Sequence, residues 1–206
     1  MSLRKIAQIE RLRVLPAGEM RARFRMCIVD DATNLEVGRI QNWGVEVLPT
    51  DDHDQQLERV DELLVIAGFS PLLEADAARI RTLCEADHTP ERIAEYVTPV
   101  IDTTLSLRQE IRFSLVDVLD DGQMEVRISR VIIEEGKVIS PANYHRLVLD
   151  PMHSPNDTLT MVSNIMAQEG YGGILATDQE RIKTIYGADC TPFRKSRFEE
   201  LLALKE

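Results

Sequence analysis

A chain of 206 residues, 44% apolar and 5% aromatic, can bury a core as one domain or as two small ones. Its net charge of −11 argues against general affinity for nucleic-acid backbones, which takes lysine and arginine. The three cysteines, Cys27, Cys84 and Cys190, have neither disulfide-framework nor zinc spacing.

They suit a reducing compartment, and a cytoplasmic location is expected. The longest apolar run, 63–67, is too short to span a bilayer, and residues 1–16 lack the apolar stretch of a secretion signal. Charge is segregated along the chain. Residues 1–26 carry seven basic and two acidic side chains, whereas residues 27–102 carry five and seventeen.

Met20, Ala22, Phe24, Met26 and Ile28 alternate with arginines and Cys27, the period of a half-buried strand. A hairpin loop at 15–19, with Val14 on the side of Met20, places Arg11, Arg13, Arg21, Arg23 and Arg25 together on the opposite face. Like charges across strands repel, so this face needs anions. The acidic segment 51–62 of the same chain, an acidic partner protein or a nucleic acid read by a β-ribbon would serve, and the chain's own acids are the expected source. Residues 30–34 read as a turn and 37–48 as further strand.

Leu57, Val60, Leu63, Leu64 and Ala67 then fall on one helical face, closed by Gly68. A second helix is expected over 76–84, with Asp76 near its positive end. Thr89 followed by Pro90 reads as an N-cap and first helical residue, opening a third helix that ends near Thr98. The pattern then begins again. Strands over 111–119 and 124–133 flank Asp120-Asp121-Gly122, a strong hairpin turn, and residues 134–137 turn once more. Leu159, Val162, Ile165 and Met166 lead to Gly170, a helix follows over 178–186, and Thr191-Pro192 caps a last one ending near Lys205.

The recurrence extends to individual residues. Laid on 151–194 without a gap, residues 49–92 match at fourteen of forty-four positions, including Gly68/Gly170, Asp76/Asp178, Arg79/Arg181, Asp87/Asp189, Thr89/Thr191 and Arg92/Arg194. Unrelated segments would match at about three. Upstream, Arg23-Phe24 resembles Arg112-Phe113 at a different offset.

The expected fold is therefore α+β, an internal duplication in which each copy is an antiparallel β-meander followed by about three helices. The copies span 1–104 and 105–206 and are expected to be related by a pseudo-two-fold axis.

Few residues carry reactive chemistry in both copies. His53 aligns with Pro155, Cys84 with Tyr186, His88 with Cys190 and His153 with Asp51. His53 sits in the acidic run 51–54 at a helix start, which the macrodipole explains without a metal. Residues 170–173 are glycine-rich but match no phosphate-binding spacing. Arg79 and Arg181 offer a second basic candidate, with local pairing to Asp76 and Asp178 the simpler expectation.

These features point away from an enzyme and toward a non-enzymatic protein-interaction or assembly module without a cofactor. Its partners are expected to be another protein or a second copy, neither membrane nor nucleic acid. The alternative is an enzyme or a small-molecule or metal binder with a site between the copies, for which His145, Asp150 and His153 are the candidate ligands.

Overall fold

The computed structural model describes residues 2–33, 35–98, 107–140, 143–168 and 173–204. Among the described residues, seven strands form one sheet: β1 (Leu3–Val14), β2 (Met20–Asp30), β3 (Glu36–Val47), β4 (Arg108–Leu119), β5 (Met124–Glu134), β6 (Lys137–Val138) and β7 (Asn143–Leu149). Six helices, counted over the same residues, complete the α+β fold: α1 (His53–Ile66), α2 (Glu74–Asp87), α3 (Pro90–Val97), α4 (Pro155–Gln168), α5 (Ala176–Asp189) and α6 (Pro192–Ala203). The order is three strands, three helices, four strands and three helices. None of the described helices is long and apolar enough to cross a membrane.

The strands lie in the order β3-β2-β1-β4-β5-β6, with β7 also beside β5, and every pairing is antiparallel. β1 and β4 share only four positions, Arg11 opposite Leu119 through Val14 opposite Val116. Two long hairpins are thus joined over a short central overlap.

Both hairpin turns need glycine. Gly18 and Gly122 have φ of 101° and 97°, in the left-handed region that other residues resist. A Cβ on Gly18 would sit 2.8 Å from Pro49, and one on Gly122 would sit 3.2 Å from Pro151.

One face of the sheet meets the helices. Leu12, Val14, Met20, Phe24, Val116, Val118, Val126 and Ile128 form a single core with the buried side chains of α1, α2, α4 and α5. Phe24 and Trp43 stack there at 5.7 Å. Asp52 caps α1, while Thr89 and Thr191 cap α3 and α6, each ahead of a proline at the first helical turn, as the sequence predicts.

α1 begins at His53, within the acidic run 51–54 expected to start a helix. Two features differ from the sequence reading. β7 occupies residues to which the sequence reading assigns no element, and its Leu147 and Leu149 are buried while Arg146 and Val148 face outward. The upstream resemblance sets Arg23-Phe24, in a second strand, against Arg112-Phe113, in a first strand. The glycine-rich residues 170–172, the division between 104 and 105 and the expected helix end at Lys205 lie outside the described residues.

Candidate functional sites

The five N-terminal arginines share the outer face of the sheet, as the hairpin reading requires: Arg11 pairs with Arg23 and Arg13 with Arg21, while Val14 faces Met20 on the core side. Arg39 of β3 joins them opposite Cys27. The neutralising anions are not those of residues 51–62, because α1 packs on the other face. They come from neighbouring strands. Arg13 makes a bidentate contact with Asp117 at 2.6 and 2.9 Å, and Arg11 lies 3.8 Å from the same carboxylate. Arg21 pairs with Glu46, Arg23 and Arg39 with Glu10, and Arg25 with Glu36.

Six guanidinium groups thus face four carboxylates, leaving a positive excess on the surface of an acidic chain. Arg21 and Arg23, at the centre of the face, are the most open to water, with side chains 57% and 53% exposed. A groove of about 570 Å³ runs along this face between Arg11, Arg13, Arg21, Arg23, Asn42 and Glu46.

Arg79 and Arg181 have a different role from the one their spacing suggests. Each crosses to the other half of the chain instead of pairing three residues back. Arg181 binds Asp87 through two bonds of 2.7 and 2.8 Å, and Arg79 binds Asp189 at 2.6 and 3.4 Å. The guanidinium of Arg181 also donates to the carbonyls of Leu15 and Pro16 and stacks 4.4 Å over Phe113. Arg79 donates to the carbonyl of Leu119.

Arg92 and Arg194 reach the same two turns, at Pro16 and at Leu119 and Asp120. Asp76 and Asp178 accept instead from the backbone N–H of Ile9 and Phe113. Burial raises both of these carboxyls above the ordinary range, against the opposing pull of those bonds. These recurring charges hold turns and strands to helices, so Arg79 and Arg181 do not form a docking surface.

The candidate ligands His145, Asp150 and His153 do not gather. His145 lies in β7 opposite Ile128, while His153 Nδ1 is 2.7 Å from Asp150 Oδ2 at an exposed turn. The described residues contain one group of three whose ligand atoms all lie within 4.8 Å of one another: His53, Cys84 and His88.

His53 opens α1, Cys84 lies in the last turn of α2, and His88 caps that helix four residues later, which places it on the same face as Cys84. His53 Nε2 and His88 Nδ1 are 2.8 Å apart, and His88 Nε2 lies 2.8 Å from the Gly18 carbonyl. Since the carbonyl only accepts, His88 carries its proton on Nε2 and accepts from His53 at Nδ1. Burial lowers the His88 pKa, partly opposed by the bond to Gly18. Burial also pushes the Cys84 thiol up to about 12, with Asp87 adding to the shift.

No sequence pattern marks this group, because thirty residues separate His53 from Cys84 and only the α1–α2 packing closes the distance. The one local signal is the four-residue spacing of Cys84 and His88.

Comparison with protein-family models, with curated proteins and with solved structures found no match to this chain.

Proposed function

We propose that the chain is a non-enzymatic interaction module that docks an acidic protein segment on the arginine-rich outer face of β1–β3. The observation that carries this reading is the uncovered positive face of a sheet whose other face is buried under helices. Arginine suits such a surface, since its planar fork binds carboxylates in pairs and its stem offers apolar contact. The existing carboxylate partners hold the forks in place, and an incoming acidic segment meets the two surplus cations.

The scaffold beneath this face is, in our reading, a fused dimer. The reciprocity of Arg79 with Asp189 and Arg181 with Asp87 is what an isologous contact between two equal subunits produces. The fourteen identities between 49–92 and 151–194 supply the second support.

The test is affinity capture with the whole chain and with Arg21→Thr/Arg23→Thr, which clears the centre of the face while keeping strand-forming residues. A protein captured by the parent, lost from this variant and retained by an Arg59→Thr control on α1 supports the reading. An identical set of captured proteins, or captured material that nuclease removes, contradicts it.

A further inference from the structure

We infer that His53, Cys84 and His88 form a binding site for one soft d10 cation, zinc(II) or copper(I), held by two imidazole nitrogens and a thiolate. The ligand chemistry is that of such ions: imidazole suits both, and a cysteine sulfur selects them over magnesium or calcium.

Three features beyond proximity support the site. First, His88 is already oriented as metal-bound histidines are. Its Nε2 proton is committed to a backbone carbonyl, that of Gly18, which fixes the tautomer and leaves the Nδ1 lone pair directed at His53 and Cys84. Second, the adjustment needed is small. Two nitrogens bound to one tetrahedral ion stand roughly 3.4 Å apart. The present 2.8 Å hydrogen bond between the rings must therefore open by about half an ångström, and His53, at the start of its helix and half-buried, is the side chain free to make that shift.

Third, different residues fill the matching places in the second set of helices. Pro155, Tyr186 and Cys190 stand at the same places in α4, α5 and its C-cap, the first helical residue, the eleventh and the residue after the last. There the tyrosine hydroxyl donates to the carbonyls of Asp150 and His153, closing the corner with ordinary hydrogen bonds. Met20 Sδ lies 3.7 Å from Cys84 Sγ, but methionine also opens β5 as Met124, so the thioether adds no independent argument.

Binding is balanced in protons. The Cys84 S–H bond breaks, a sulfur–metal bond forms and one proton leaves to water. The His53 Nε2 proton passes through water to Nδ1 of the same ring, and the hydrogen bond between the imidazoles is exchanged for two nitrogen–metal bonds, with both rings neutral before and after. Affinity therefore weakens as pH falls.

The test is titration of the chelator-treated chain with Zn2+ against a chromophoric zinc chelator and, under reducing anaerobic conditions, with Cu+ against a copper(I) chelator. One equivalent of either ion bound more tightly than about 1 μM is expected. Cys84→Ser and His88→Asn should each weaken it by about 100-fold or more, since loss of an outer hydrogen bond alone costs 10- to 100-fold at such sites. Cys190→Ser should bind as the parent does.

Should Cys84→Ser fail to fold, alkylation of the parent chain in urea just below its unfolding midpoint, where the buried thiol is transiently exposed, decides: the bound ion must protect Cys84 while leaving Cys190 reactive. Binding weaker than the chelator can detect, binding indifferent to Cys84 and His88, or protection that does not involve Cys84 would overturn the site.

Discussion

The corner where α1 meets the end of α2 and the corner where α4 meets the end of α5 are built on the same plan and filled with different chemistry. Each has a helix start, a residue in the last turn of the next helix and a cap that breaks it. In the second corner Tyr186 reaches two backbone carbonyls, Cys190 approaches the carbonyl of Pro151, and every group serves the chain's own turn. In the first corner two imidazoles and a thiol point at one another. What the halves share, namely the crossing arginines, the buried aspartates and the threonine caps, maintains the fold. What they do not share is where chemistry has room to reside.

The largest predicted effects belong to the shared parts. Arg181→Ala leaves Asp87 buried and unpaired and should cost about 3–5 kcal/mol in urea denaturation. Arg79→Ala should cost less, because its side chain is more exposed (13% against 7%) and one of its bonds to Asp189 is long. Equal losses would mean that the two crossings are energetically interchangeable despite their geometry.

A smaller loss, about 1–3 kcal/mol, is expected for Tyr186→Phe, which strips the Asp150 and His153 carbonyls of a donor. No loss would show that water replaces the hydroxyl and that the second corner is looser than its hydrogen bonds imply.

Asp76 and Asp178 give both halves the same pH signature. Their folded pKa values lie above the ordinary carboxylate value, so the folded state holds protons that the unfolded chain has released. Their contribution to stability is complete at low pH and declines as pH rises through the raised values. Asp76→Asn/Asp178→Asn should flatten that decline in denaturation midpoints measured from pH 4 to pH 7. A variant profile parallel to the parent's would remove these two carboxyls from the account.

The smallest change is expected on the outer face. Arg21→Thr/Arg23→Thr removes exposed ion pairs to Glu46 and Glu10 and should shift stability by less than about 1 kcal/mol. A large shift would mark the arginine face as part of the fold and weaken its reading as a docking surface.

Much of this was legible in the sequence. Alternation gave β2 and its outward arginines, and Thr-Pro pairs gave the starts of α3 and α6. The Asp-Gly turn gave the β4–β5 hairpin. Partners distant in sequence were not legible. Arg79 and Asp76 stand three apart on a helix, yet Arg79 turns to Asp189 while Asp76 accepts from the N–H of Ile9.

Likewise the anions beside the arginine ribbon came from Glu10, Glu36, Glu46 and Asp117, since strand register, invisible in a charge count, decides who lies alongside. His53, Cys84 and His88 do not recur in the second half, which in the sequence argues against a shared site. In the folded chain that same asymmetry is what distinguishes them.

The separation between shared scaffold and unshared chemistry has one direct test: rebuilding the first corner in the image of the second with His53→Pro/Cys84→Tyr/His88→Cys, then measuring the urea midpoint and metal binding on the same preparation. The account predicts a cooperatively folded protein, with a midpoint within about 2 kcal/mol of the parent, that no longer binds zinc(II) or copper(I). A triple variant that fails to fold would show that the two imidazoles and the thiol are themselves structural. One that folds and still binds the ion would place the ion elsewhere.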